Sequence, residues 1–311
     1  MKKVIIGTRG STLAMIQARM VMDALQQEAP GNSYELKTIK TTGDLITDIP
    51  LEKIGDKGVF IKELENALLS GEIDMAVHSM KDMPTELPVE LEIGAVMSRE
   101  EPWDVVIGGS DCGELAGMKA GTRIGSSSLR RRAQLLHHYP QLDIQSIRGN
   151  LDTRLKKLQQ GDFDAIILAY AGVKRMGWSG LITEKISGKI CLPAVGQGAI
   201  GVEIRRDDSD VARIVSVLNC PETGAAVRAE RAFLNRLEGG CQVPVGALAE
   251  IKNGELVLEG MVASLDGSKL FRERGKGAVE DAALVGTRLA ERLLELGCGE
   301  ILELIRQECE Q

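Results

Sequence analysis

Several side chains able to bind or transform an anionic ligand fall at the ends of apolar runs. Arg9 closes the run Val4 to Thr8, and Lys81 and Asp82 follow the run Ile73 to His78. Ser126-Ser127-Ser128-Leu129-Arg130-Arg131-Arg132 opens a helical pattern directly after a strand pattern. Arg148-Gly149-Asn150 ends another strand pattern, with Arg154 one turn into the next helix. Hydroxyls and free N–H groups at a helix N-terminus make an anion site, and arginine forks suit carboxylates or phosphates. In open parallel sheets the binding crevice lies at the carboxyl ends of the strands, so these groups are candidates for one cleft between two lobes that takes a small polyanion. The ordinary alternative is a solvated helix face, and Arg132, pointing away from Ser128 and Arg131, falls on that side.

Two further groups leave their roles open. Asp82 among cations is an ion-pair strut, a ligand for substrate N–H groups, or a stabiliser of positive charge that develops during reaction. Cys241 lies in Gly239-Gly240-Cys241-Gln242-Val243-Pro244-Val245-Gly246, between a helix pattern and a strand pattern. A thiolate on a Gly-rich loop suits covalent attachment; the alternative is one more small buried hydrophobe. His78, His137 and His138 offer no metal-ligand spacing, so no metal is expected. Gly196-Gln197-Gly198-Ala199-Ile200-Gly201 matches the dinucleotide pattern G-x-G-x-x-G, but a strand rather than a helix is expected after it. A turn crossing between lobes is the better account.

The elements that must position these groups alternate. Strand patterns at Val4–Thr8, Tyr34–Thr41, Ile73–His78 and Leu91–Met97 are interleaved with helices from about Ser11 and from Phe60 to Leu68. The pattern restarts after Pro102, with strands at 105–107, 122–125, 144–148 and 165–169 and helices at 126–136 and 151–158. Such alternation means β-α-β units and mainly parallel sheets, here in two lobes of similar construction. The last third reads differently: a helix at 225–237, a hairpin turning at Asn253-Gly254, a strand at 269–274 and two helices separated by Gly297. Thr42 to Gly58 reads as a mobile loop.

Composition narrows the function. The 311 residues hold 38 Lys+Arg against 45 Asp+Glu, a net charge of −7, which argues against a nucleic-acid binder. Four Phe, two Trp and three Tyr are too few for a base-stacking platform. The start Met-Lys-Lys-Val-Ile-Ile-Gly lacks a signal-peptide core, and no apolar stretch is long enough to span a bilayer. The six cysteines are scattered without C-x-x-C. A soluble, cytoplasmic protein with no membrane partner is expected.

The chain resembles the porphobilinogen deaminase (hydroxymethylbilane synthase) family over nearly its whole length. The resemblance rests on Gly7-Thr-Arg-Gly-Ser11, Lys57-Gly58-Val59-Phe60, His78-Ser79-Met80-Lys81-Asp82-Met83-Pro84, Gly125 to Arg131, Arg148-Gly149-Asn150, Pro193 to Ala199 and the loop Gly239 to Gly246. It implies an α/β fold of three domains. Residues 1–99 with 199–217, and residues 100–198, form two lobes like type II periplasmic binding proteins; residues 218–311 form an α+β domain with a small antiparallel sheet. It also implies that Cys241 holds a dipyrromethane cofactor by a thioether, to which four porphobilinogens add with loss of ammonia before hydrolysis releases hydroxymethylbilane. Asp82 would stabilise the cationic azafulvene. Ser11, Lys81, Ser128, Arg130, Arg131 and Arg148 would hold the cofactor with it. Arg9, Gln17, Ser126, Ser127, Arg148, Arg154, Arg175 and Gln197 would hold substrate, and Lys53, Lys57 and Phe60 lie in the loop over the cleft. A monomer is expected. The rival is a bilobal anion-binding protein without chemistry, which leaves the Gly-Gly-Cys-Gln-Val-Pro loop unexplained.

Overall fold

The structure, a computed structural model, describes residues 2–41, 61–109, 112–237 and 243–309. Two units separate by internal contacts: Met1–Glu100 with Ala199–Gly224, and Glu101–Gly198 with Ala225–Gln311.

Unit 1 is built on a five-stranded sheet of β1 (Lys3–Arg9), β2 (Ser33–Ile39), β3 (Met75–Ser79), β4 (Leu91–Val96) and β10 (Ile200–Arg205), in the order β2-β1-β3-β10-β4. β1 runs parallel to β2 and β3, and β10 returns antiparallel between β3 and β4. Helix α1 (Thr12–Glu28) begins at Ser11, whose Oγ accepts the Ala14 N–H, and buries Ala18, Val21 and Leu25 with Val4, Ile6 and Val202. On the opposite face α2 (Lys62–Leu69) packs Leu64 and Leu68 on Ile73 and Ala76. Each side of the sheet therefore has an apolar cover, which explains strands that are apolar in both alternating positions.

Unit 2 repeats the plan. Its five-stranded sheet is formed by β5 (Asp104–Gly108), β6 (Arg123–Gly125), β7 (Asp143–Gln145), β8 (Ala165–Ala169) and β9 (Glu184–Lys185), in the order β7-β6-β8-β5-β9. β7, β6 and β8 are parallel, and β5 is antiparallel to β8, the place β10 takes in unit 1. α3 (Leu129–His138), α4 (Leu151–Gln159) and α5 (Tyr170–Arg175) follow β6, β7 and β8 in turn. β7 is shorter than the strand expected over 144–148, because the chain leaves the ladder after Gln145 to make the Arg148-Gly149-Asn150 turn, where Gly149 has φ 107°.

A three-stranded antiparallel sheet completes unit 2: β11 (Val245–Lys252), β12 (Glu255–Ala263) and β13 (Leu270–Ala278). Asn253 and Gly254, at φ 53° and 79°, make the tight turn between β11 and β12. One face packs on α7 (Pro221–Arg236), α8 (Ala282–Leu293) and α9 (Gly299–Cys309), with Phe233 and Leu289 at its centre. α7 starts four residues earlier than the pattern suggests, since Pro221 is preset for a first helical turn. Gly297, at φ 99°, separates α8 from α9. A short helix, α6 (Ser209–Val215), follows β10. Among the described residues no helix is long and apolar enough to cross a membrane, and no group of three His, Cys, Asp or Glu side chains could hold a metal ion.

Candidate active site

The sheet topology places the predicted residues of each unit along one edge. In unit 1, β1 and β3 are parallel neighbours, so Arg9 at the end of β1 and Ser79 at the end of β3 share the carboxyl edge. Ser11 caps α1 there, and Gln17, buried in α1, donates from Nε2 to Ser79 Oγ at 2.9 Å. A single turn of 3₁₀ helix, Met80–Asp82, follows β3 and presents half-buried Lys81 and exposed Asp82. That turn is pinned from below, because the Met80 N–H donates to the Ala199 carbonyl and Met80 Sδ would lie 2.2 Å from a Cβ at position 201. Glycine at 201 therefore admits Met80. One residue before Ser79, buried His78 faces Glu203 of β10, Nε2 to Oε2 2.9 Å. His78 thus has a structural partner.

The expected turn at Gly196-Gln197-Gly198 is present, with Gly196 and Gly198 at φ 71° and 91°. A strand, β10, follows it rather than a helix, so the glycines do not form a dinucleotide site.

In unit 2 the carboxyl edge carries Ser126 to Ser128 after β6 and Arg148 after β7. Ser127 Oγ donates to the Ile147 carbonyl, tying the two turns together. Ser128 caps α3 by accepting the Arg131 N–H, and Asn150 caps α4 by accepting the Thr153 N–H. Arg154 folds back to donate from Nε to the Gly149 carbonyl at 2.8 Å, and Arg175, in the last turn of α5, donates to the Gly198 carbonyl at 2.7 Å.

The centre of this edge is Asp104. As the first residue of β5 it pairs in register with Ala169, the last residue of β8, and so reaches the carboxyl edge from an antiparallel strand. Its side chain is fully buried. Oδ2 accepts from Arg130 Nη1 at 2.8 Å; Oδ1 accepts from Arg131 Nε and Nη2 at 3.1 and 2.7 Å and from Gln197 Nε2 at 2.9 Å. Burial alone would raise its pKa; the two guanidiniums outweigh that and hold the carboxyl well below the usual carboxylate range. The cluster of two guanidiniums and one carboxylate keeps a charge of +1. Cys191 Sγ lies 3.4 Å from Asp104 Oδ2, and burial foremost pushes that thiol up to about 12.

Three residues expected to meet ligand, Arg130, Arg131 and Gln197, are therefore brought together by a residue that sequence reasoning did not single out. The available signal was an acid opening the apolar run Val105 to Ile107, a position that burial tolerates only with a partner. Cys241, Lys53, Lys57 and Phe60 lie outside the described residues. Downstream of the cysteine, Gly246 runs against the cluster: a Cβ there would lie 2.9 Å from the Leu192 carbonyl and 3.3 Å from Arg130 Cδ.

Residues 4–213 match the family model described as "Porphobilinogen deaminase, dipyromethane cofactor binding domain", and residues 225–295 match "Porphobilinogen deaminase, C-terminal domain". The chain is 56% identical over 309 residues to the porphobilinogen deaminase of Pelotomaculum thermopropionicum, covering 99% of this chain and 98% of that one. It is 52% identical to those of Desulforudis audaxviator (98% of each chain) and Moorella thermoacetica (97% of this chain, 96% of that one). The chain belongs to the porphobilinogen deaminase family. Among solved structures it is similar to the periplasmic VFT2 domain of BvgS from Bordetella pertussis, at 16% identity and a TM-score of 0.41 over 70% of this chain and 86% of that one.

The side chains present fit the dipyrromethane group of that family. Arg130 Nε is buried without a hydrogen-bond partner, a donor that lacks an acceptor. The residual +1 of the Arg130–Arg131–Asp104 cluster and the hydroxyls of Ser126 to Ser128 are the complement of a carboxylated pyrrole.

Proposed function

We propose that the protein is a hydroxymethylbilane synthase: it condenses four porphobilinogen molecules on a dipyrromethane primer held by Cys241, releases ammonia at each addition, and hydrolyses the product free as linear hydroxymethylbilane. When bound, the primer would supply the free pyrrole α-carbon, which loses its proton as the first unit condenses there, and each ring so added would offer the same carbon to the next. Every other task falls to the chain's own side chains.

Arg130, Arg131 and Arg148, with Lys81, Ser11 and Ser128, hold the carboxylates of the primer. Arg9, Gln17, Ser126, Ser127, Arg154, Arg175 and Gln197 receive those of the substrate. Charge-assisted hydrogen bonds of this kind orient a ligand as well as bind it. Asp82, in its short turn beyond β3, faces solvent with its carboxylate available to pyrrole N–H groups. As the C–N bond of the aminomethyl group breaks and ammonia leaves, positive charge spreads over the substrate ring. A fixed carboxylate beside that ring lowers the barrier by favouring the charge as it forms. The proposed enzyme has three domains, 1–99 with 199–217, 100–198 and 218–311, each containing one of the three sheets, and is monomeric and cytoplasmic, using neither nucleic acid nor membrane.

The observation that carries the reading is the concentration of Arg, Lys and Ser at the carboxyl ends of the parallel strands in both five-stranded sheets, in a chain of net charge −7. Intact-protein mass spectrometry tests it. Native protein should exceed its sequence mass by one dipyrrole and gain further pyrrole units on brief exposure to porphobilinogen, while Cys241→Ala should show the bare mass. An anion-binding protein without chemistry would show the bare mass in both, and a cofactor kept by the variant would place the attachment elsewhere.

A further inference from the structure

Unit 2 contains a basic cavity whose lining includes none of the residues assigned to the carboxyl edge, although its Leu192 accepts a hydrogen bond from Arg130 at 2.7 Å through the backbone. It has a volume of about 370 Å³ and lies where the face of the three-stranded sheet turned away from α7 and α8 meets the segment after β9. Trp103, Leu192, Leu248 and Val257 give it an apolar lining. Five cationic side chains, Lys185, Lys189, Lys252, Arg272 and Arg274, surround that lining against the carboxylates of Glu250 and Glu259 and that of Glu101, which pairs with Lys185 at 2.6 Å, a surplus of +2 in an acidic protein.

The wall is built rather than incidental. Arg272 donates to Glu259 at 2.7 Å and to the carbonyls of Lys189 and Gly188 at 2.8 and 2.7 Å, so it stitches β13 to the segment after β9. Glu259 also receives Arg274 at 2.9 Å, and Glu250 receives Lys252 at 2.8 Å. The Lys252–Glu250 pair is exposed, and exposed pairs hold their charges only weakly, at about 0–1 kcal/mol each, whereas Glu259, 19% exposed, fixes both arginines in place. Lys189 makes no ion pair among the described residues. Cations that are gathered, oriented and only partly neutralised above an indole and three aliphatic side chains suit a ligand with an apolar ring and several acid groups.

We propose that this cavity is an anion site distinct from the catalytic edge, and that it takes a small polycarboxylate carried on an apolar ring. Trp103 and Trp178 are the protein's two tryptophans, so Trp178→Phe leaves Trp103, in the cavity wall, as the sole indole reporter. Benzene-1,3,5-tricarboxylate is titrated into Trp178→Phe at low salt, followed by Trp103 emission. A saturable change is expected, with half-saturation below about 10 mM and weakened at least about tenfold by Lys189→Glu and by Arg274→Glu. No saturable change in that range overturns the proposal, as does an unaltered midpoint in both reversed variants, which would mean that the probe binds elsewhere. The same titration in a Cys241→Ala background involves no pyrrole chemistry. A failure here therefore leaves the enzymatic reading standing, and the converse also holds.

Discussion

Replacing Asp104 by Asn removes one negative charge from beneath two buried guanidiniums while nearly preserving shape. Arg130 and Arg131 are 4% and 5% exposed, so neither reaches solvent once its counter-charge is gone. Four N–H donors now converge on two carboxylate oxygens, and Asn would return one acceptor oxygen and an NH₂ group that faces N–H donors. Breaking a buried pair by removing one partner costs about 3–5 kcal/mol, a large share of the roughly 5–15 kcal/mol that keeps a domain folded. A fall in Tm on the order of 10 °C follows. Circular-dichroism melts in the Cys241→Ala background read this cost without any contribution from a bound group, and intact mass in the native background reads cofactor loading, which should fall as Arg130 and Arg131 lose their common orientation. The pH dependence has a definite sign. A carboxyl whose folded pKa is depressed contributes stability that is complete above its unfolded value, about 3.9, and is lost as pH falls through the folded value below it. The stability gap between native and variant should stay level from neutral pH down to about 4 and close only below that. A Tm within about 2 °C of the parent at full loading, or a gap that closes near pH 6, would refute the reasoning.

Other changes separate chemistry from packing. Asp82→Asn should leave the melt unchanged, since the side chain is exposed on a one-turn helix, yet nearly abolish turnover; normal turnover would remove Asp82 from its role. Gly246→Ala drives a Cβ to 2.9 and 3.1 Å from two backbone oxygens, those of Leu192 and Pro193, which cannot swing aside, so a loss of about 1–3 kcal/mol is expected in urea melts. Wild-type stability there would mean that β11 sits further from that segment. Cys191, buried and with its thiol pushed up to about 12, should resist iodoacetamide at pH 8 until the protein unfolds, and rapid native-state labelling would contradict its packing against Asp104.

The repeated β-α-β plan was legible because apolar runs of strand length alternate with helical periodicity, and the caps Ser11, Ser128 and Asn150 are residue types that stop a strand and start a helix. The hairpin at Asn253-Gly254 was legible for the same local reason. What escaped was non-local. Asp104 belongs to the edge only because β5 runs antiparallel beside β8, and no pattern within five residues states which way a strand will run. His78 likewise meets its partner 125 positions away, through the register of β10 on β3. Arg130 and Arg131 looked like ligand contacts on the strength of their position, and they do lie at the expected edge. That a carboxylate already occupies much of their hydrogen-bonding capacity could be known only after the chain had closed.

The two aspartates illustrate how one residue type is given opposite tasks by its surroundings. Asp104 is sealed from water, and two guanidiniums keep it ionised; it has no freedom to exchange a proton or to turn toward a ligand. Its work is electrostatic housekeeping: without it, adjacent arginines at the start of α3 would repel each other in a medium that screens poorly. With it, both stay in place, and the cluster keeps a single net positive charge. Asp82 is the reverse case. It sits on a short turn in solvent, held from behind by the Met80–Ala199 hydrogen bond rather than by a counter-ion through its own carboxylate sealed in the core. On the proposed reading, a carboxylate that answers a charge appearing and vanishing at every addition has to be fixed in position without being buried against a permanent cation, and on this fold the turn after β3 meets that requirement whereas the start of β5 does not.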